Sequence, residues 1–316
     1  MNRFSVSIPT GRFDLELCAS SGQVFRWQRL DDGTWLGVDG DHWYRVLLPP
    51  TDTPVRTRDS LKYVAKEKGP GGEEIFEVES NASREDFESL FRLDLDAEEV
   101  EAEIVRRAPE LEPYMGTLAG LRLMEPSDPV EIFFAFLCTP NNNIRRITQM
   151  VRKLAAYGLV MDTVQGNELH RFPEAEVIAA IPEQELRSAG FGYRGRTIPS
   201  LANQLIERGG RAWLESLKSA PYEDAHRELK AMKGIGPKLA DCIALFALHH
   251  TEAVPVDTHI WQALCRLYFP EWKDKAPTDQ RYETAAAHFR SKLGDLSAWA
   301  HQYLFYDNVL NWRTRN

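Results

Sequence analysis

The chain has 316 residues, 43% of them hydrophobic and 27% charged, with a formal net charge of −9. That length suits about two domains of roughly 150 residues and gives enough chain for a sizeable core. No apolar run nears the ~18 residues that a membrane span needs, no charged-then-apolar leader opens the sequence, and the acidic balance excludes a protein held on nucleic acid by bulk charge alone.

In chain order, residues from about 3 to 80 carry short aromatic and β-branched runs separated by Gly, Asp and Pro: "FSVSIP", "FDLELC", "QVFRWQRL", "TWLGVD", "HWYRVLL", "LKYVAKE" and "EIFEVE". This pattern predicts strands of an antiparallel sheet. At "SREDFESLF" the character changes, with Ser83 as a cap and acids in the first turn, and the rest of the chain reads almost wholly as helices. The predicted fold class is α+β, an antiparallel sheet domain at 1–82 followed by a helical domain at 83–316. The acidic stretch "LDLDAEEVEAE" reads as a solvated helix face. "NNNIRRITQMVRKLAAYG" places Ile144, Ile147, Met150, Val151 and Leu154 on one face between an asparagine start and a Gly158 stop. "DTHIWQALCRLYF" does the same for Ile260, Trp261, Leu264, Leu267 and Tyr268, with Asp257 as N-cap, and "DQRYETAAAHFRSKLG" and "DLSAWAHQYLFYDNVLNW" predict two more helices. The four cysteines (Cys18, Cys138, Cys242, Cys265) lie far apart, without the paired spacing of a zinc or iron–sulfur site, and read as reduced thiols of a cytoplasm-like compartment.

Between residues 222 and 248, "AHRELKAMKGIGPKLADCIALFAL" splits into helix, the turn Lys233-Gly234-Ile235-Gly236, and helix, with Pro237 where a missing N–H costs nothing. This is a helix-hairpin-helix. Glycines in the turn allow positive φ and close approach, while the N–H groups opening the second helix form an anion site. Such a turn grips a nucleic-acid backbone without reading sequence, so the acidic net charge ceases to decide the matter. Lys238 falls just inside that second helix. It would act as a nucleophile only as the neutral amine, which an ordinary lysine with a pKa of ~10.4 is not at neutral pH; a helix start supplies a field of the right sign. Facing solvent, the same lysine would be a phosphate contact. Nineteen positions later, "AVPVDTHIW" brings Asp257 to a helix start. A cap is its ordinary role, yet a carboxylate there can also take a proton from an amine or stabilise the oxocarbenium-like charge of a breaking sugar–base bond. His259 suits either a phosphate contact or a structural role.

These residues carry a resemblance. "MKGIGPKLADCIALFAL" with "AVPVDTHIW" resembles the helix-hairpin-helix DNA glycosylase signature. "SSGQVFRW", "FLCTPNNNIRRITQMV" and "GFGYRGR" narrow the likeness to the 8-oxoguanine DNA glycosylase/lyase branch, over nearly the whole chain. The resemblance implies base excision repair: excision of an oxidised purine, opposite cytosine, from double-stranded DNA by base flipping, with no cofactor or metal, no membrane and a monomeric protein, in the nucleoid of a prokaryote or the nucleus of a eukaryote. It implies Lys238 as the nucleophile that forms a Schiff base and Asp257 as its assistant. Asn141, Tyr193, Arg146 and Arg194 would fill the gap and hold the orphaned cytosine, and Gly234, Gly236 and His259 would grip the backbone. Gly22 would accept the N7 hydrogen of the oxidised base through its carbonyl, and Cys242 and Phe305 would sandwich that base.

Two positions depart from the family pattern. His301, in "WAHQYLF", stands where a glutamine bonds the Watson–Crick edge, unless the register slips to Gln302, and a neutral histidine offers only one donor and one acceptor. The turn begins Met232-Lys233 instead of Leu-Pro. A related glycosylase for alkylated purine or oxidised pyrimidine is the next reading. Lys238 argues against the monofunctional alkylation type and the missing cysteine cluster against the iron–sulfur type. A non-catalytic DNA-binding module would need neither Lys238 and Asp257 nor the Asn/Arg set.

Overall fold

The computed structural model describes residues 1–48 and 72–315. Five strands, β1 (Asn2–Pro9), β2 (Gln28–Arg29), β3 (Trp35–Asp39), β4 (His42–Leu47) and β5 (Glu73–Ser80), form an antiparallel sheet in the order β1-β5-β4-β3-β2. Val6 pairs with Phe76 and Val46 with Val78, so the buried side of each strand falls on one face, while Ser5, Ser7 and Glu77 turn outward. The α+β class read from the sequence is the observed one, a sheet followed by helices.

Three local readings are corrected. "FDLELC" is the helix Leu15–Ser20, not a strand: Asp14 caps it by accepting from the Leu17 N–H at 3.0 Å, and Cys18 and Ala19 are buried alongside Leu15 and Leu17, which a period of two cannot deliver. Only Gln28 and Arg29 of "QVFRWQRL" pair as strand, because Val24, Phe25, Arg26 and Trp27 are all buried and the Trp27 indole fills the space beside Gly37. The helical half holds a hairpin that the sequence reading lacked, β6 (Val160–Val164) and β7 (Asn167–His170), turning at Gln165 and Gly166 with positive φ. Its Leu169 packs against Leu36, Val38 and Trp43, and Asp162 accepts from the Trp43 indole at 2.9 Å. "LKYVAKE" lies outside the described residues.

The helix starts follow their caps. Ser83 and Asp86 form a capping box, Asn143 caps Ile144–Ala155 through the Arg146 N–H at 3.0 Å, and Asp257 caps Thr258–Leu267 through the Ile260 N–H at 2.9 Å. Tyr222–Lys230 and Pro237–Phe246 are the two helices of the hairpin, and Asp279–Leu293 and Ser297–Arg315 follow. One continuous core runs from Val6 and Phe76 in the sheet through Phe133 and Ile147 to Ile243 and Tyr303. A buried ion pair crosses the same junction: Arg26 donates to both carboxylate oxygens of Glu131, at 2.8 and 2.5 Å. All four cysteines are free and buried. Among the described residues no helix is long and apolar enough to cross a membrane.

Candidate active site

Lys238 is the second residue of Pro237–Phe246, after a turn in which Gly234 takes φ +111° and Gly236 is the N-cap. The turn is braced by Gln204, whose amide accepts from the Lys233 N–H at 2.8 Å and donates to the Lys233 carbonyl at 3.2 Å. Lys238 Nζ donates to Thr139 Oγ1 at 3.1 Å and lies 6.0 Å from the centre of the Phe136 ring. Thr139 spends its own hydroxyl hydrogen on the Phe136 carbonyl at 2.8 Å, so it can only accept from the amine.

One turn beyond Lys238, the Cys242 thiol is pushed up to about 11, chiefly by burial, with Lys238 opposing, and is therefore neutral. The last helix contributes His301, Gln302 and Phe305. His301 Nε2 donates to the Pro255 carbonyl at 2.8 Å, and its ring lies parallel to that of Phe305 at 6.1 Å. Burial pushes its imidazole down to about 4, so it is neutral, with the proton on Nε2 and Nδ1 left buried without a hydrogen-bond partner. Gln302 donates to the Ser21 carbonyl at 3.1 Å and thereby ties this helix to the loop carrying Gly22. Gly22 has φ +80°, and a methyl group added there would meet Ile144 at 3.5 Å and Phe305 at 3.7 Å.

Gly22, Lys238, Cys242, Asp257, His259, His301 and Phe305 thus line one cavity of about 250 Å³. Thr139 and Phe136, which the sequence reading did not single out, also line it, as do Asn142, Asn143 and Ile144, read there only as a helix start and a helix face, and Gln302, read there as the alternative to His301. Thr139 stands beside the asparagine run already quoted, which is the only local signal for it; the others are brought in by packing.

A second group lies outside the cavity. Arg194 donates to the Pro140 carbonyl, the Tyr193 hydroxyl reaches the same carbonyl at 3.4 Å, and Arg146 donates to the Gly190 carbonyl at 3.1 Å. Asn141, next to Pro140, holds φ +51°. Asn141, Arg146 and Tyr193 are exposed, whereas Arg194 is buried beneath them with its guanidinium 4.7 Å from the centre of the Tyr193 ring. Tyr193 is 51% exposed, a large apolar surface to leave in water. Gly234 and Gly236 form a third patch on the hairpin turn. Among the described residues no cluster of His, Cys, Asp and Glu has the geometry to hold a metal.

Comparison with known proteins fits this layout. Residues 5–133 match the family model for the 8-oxoguanine DNA glycosylase N-terminal domain, and residues 134–288 match that for the HhH-GPD superfamily of base excision DNA repair proteins. The N-glycosylase/DNA lyase OGG1 of Arabidopsis thaliana is 33% identical over 96% of this chain and 79% of its own length. The N-glycosylase/DNA lyase of Saccharomyces cerevisiae is 30% identical over 80% of this chain and 69% of its own. A crystal structure of the Clostridium acetobutylicum 8-oxoguanine glycosylase/lyase, in complex with double-stranded DNA containing cytosine opposite 8-oxoguanine, superimposes with a TM-score of 0.75 at 26% identity, covering 95% of this chain and 93% of that one. The chain therefore belongs to the 8-oxoguanine DNA glycosylase family within the HhH-GPD superfamily, and is a DNA N-glycosylase with lyase activity at abasic sites.

Proposed function

We propose that the chain removes 8-oxoguanine from duplex DNA opposite cytosine, flipping the base into the cavity and cutting the strand through a Schiff base at Lys238. The observation that carries this reading is the convergence of an amine, a carboxylate and two parallel rings on one small cavity. At about 250 Å³ it lies just below the ~300 Å³ of pockets for drug-sized ligands, a size suited to a single base.

The Lys238 nitrogen lone pair forms a bond to C1′ as the C1′–N9 bond breaks, and the departing base keeps that electron pair and takes up a proton. Asp257 accepts a proton from the attacking amine and stabilises positive charge developing on the sugar. Opening of the sugar ring gives a protonated imine. Loss of a C2′ proton then expels the 3′ phosphate, and hydrolysis frees the lysine. Cys242 and Phe305 hold the two faces of the base, while Gly22 offers its carbonyl to the N7 hydrogen that guanine lacks; an unpaired buried carbonyl would cost guanine ~1–3 kcal/mol.

Flipping costs a few kcal/mol of stacking and pairing. Tyr193 and Asn141 occupy the vacated space, and the exposed Arg146 donates to the acceptor edge of the widowed cytosine, for which the planar guanidinium fork is suited; Arg194 joins it once it exchanges the Pro140 carbonyl and moves from beneath Tyr193. Gly236 has an ordinary φ, and a methyl group added there would meet nothing within 4 Å. Neither backbone strain nor internal packing explains glycine at that position, and close approach of a phosphate does. His259 supplies a further phosphate contact.

The test is borohydride trapping on a duplex carrying one 8-oxoguanine opposite cytosine. The protein should form a covalent adduct there and none on the unmodified duplex, and Lys238→Gln should form none. An adduct that survives Lys238→Gln would reassign the nucleophile.

A further inference from the structure

We propose that Asp241 and Tyr282 are positioning residues for base excision, a buried strut that fixes the Asp257 backbone against the helix that carries Lys238. Asp241 sits three residues after Lys238 and is only 1% exposed. One of its carboxylate oxygens accepts from the Tyr222 hydroxyl at 2.5 Å, and the other accepts from the Tyr282 hydroxyl. Having given its hydrogen to Asp241, Tyr282 has only lone pairs left, and these accept from the Val256 N–H at 3.1 Å. Val256 immediately precedes Asp257. The chain of contacts Asp241–Tyr282–Val256 therefore joins the nucleophile's helix to the backbone unit next to the carboxylate, without touching the cavity, whose lining includes neither Asp241 nor Tyr282.

The two hydroxyls on Asp241 differ in where they lead. Tyr222, from the first helix of the hairpin, accepts from the Arg290 guanidinium at 3.1 Å, and among the described residues its hydroxyl makes no hydrogen bond to the 254–257 segment. Tyr282, from Asp279–Leu293, is the one that reaches across. His226 Nε2 lies 3.7 Å from the Asp241 carboxylate, beyond hydrogen-bond range. A buried carboxylate that served stability alone would be equally well served by either tyrosine. A strut for Asp257 needs Tyr282.

This inference rests on the roles given above to Lys238 and Asp257; borohydride trapping by the unaltered protein, set against Lys238→Gln and Asp257→Asn, tests those roles independently. The experiment measures single-turnover excision of 8-oxoguanine, affinity for duplex containing a tetrahydrofuran abasic analogue, and thermal midpoint, for Tyr282→Phe, Tyr222→Phe and Asp241→Asn. Tyr282→Phe should slow excision ~10- to 100-fold, the scale of a sub-ångström to 1 Å misplacement of a catalytic group. Its affinity for the abasic duplex should stay within about twofold, a split between chemistry and binding that general loosening would not give. Tyr222→Phe, which removes an equally buried hydroxyl from the same carboxylate, should leave the excision rate within about twofold.

The decisive comparison is a double-mutant cycle with Asp257→Asn, which retains the helix cap. If Tyr282 acts through Asp257, adding Tyr282→Phe to Asp257→Asn should slow excision no further. Equal losses for Tyr282→Phe and Tyr222→Phe, an unchanged rate for Tyr282→Phe, or losses that multiply in the double variant would each overturn the proposal. Asp241→Asn is the harsher change in the core. Should it fail to fold, the two tyrosine variants and the cycle still decide the question.

Discussion

At the residue scale, the histidine beside the cavity has the most measurable consequence. His301 is held neutral by burial, its imidazole pushed down to about 4 from an ordinary 6.5. Because the folded state resists protonation more than the unfolded one, its contribution to stability is complete above pH 6.5 and is lost as the pH falls from 6.5 towards about 4, at ~1.4 kcal/mol per pKa unit of difference. In His301→Gln the thermal midpoint should therefore fall less steeply than in the unaltered protein between pH 6.5 and 4, and an equally steep fall would place the acid sensitivity elsewhere. Thr139 gives a second expectation. Replacing it with valine keeps the shape but removes the acceptor that holds the Lys238 amine, and should slow borohydride trapping while leaving affinity for abasic duplex within about twofold. The sequence makes Lys238 and Asp257 stand out because each sits in a local motif whose chemistry can be argued from neighbours. Thr139 and Tyr282 carry no such signal, since each matters only through a contact with a residue far along the chain, at 3.1 Å in both cases.

At the element scale, the hairpin turn separates backbone strain from function. Gly234 adopts φ +111°, in the region other residues avoid, whereas Gly236 is at φ −91° with open space around it. Gly234→Ala should therefore cost ~1–2 kcal/mol of stability in urea unfolding. Gly236→Ala should leave stability unchanged while weakening duplex binding, measured by fluorescence anisotropy; full-strength binding by Gly236→Ala would remove this turn from the DNA interface. Caps were legible from sequence because they are local: Ser83, Asn143 and Asp257 each bond a backbone N–H three residues on. The helix Leu15–Ser20 was not, because Phe13, Leu15 and Leu17 satisfy a strand's alternation as well as a short helix buried on most sides. The hairpin β6–β7 was missed for a related reason. Its strands have few buried residues of their own, and Leu169 becomes buried only against the sheet domain.

At the scale of the whole molecule, sheet and helices act as one body. The core is continuous across them, the Arg26–Glu131 pair lies in their junction, and the cavity takes Gly22 and Phe25 from one side and Lys238, Asp257 and Phe305 from the other. Glu131→Ala would strand a buried guanidinium and should cost about 3–5 kcal/mol, in a single unfolding transition followed by urea; two separate transitions would show that the halves fold independently. The net charge of −9 is compatible with DNA binding because charge is segregated along the chain: Ile144–Ala155 carries Arg145, Arg146, Arg152 and Lys153 and no acid, while acids crowd 94–112. The thiols, finally, have a consequence for where such a protein can work. Burial pushes Cys18 and Cys138 up to about 12 and Cys242 up to about 11, and raises Cys265. Peroxide attacks the exposed thiolate, and these sulfurs are neither exposed nor ionised, so all four thiols should stay reduced where peroxide oxidises accessible cysteines.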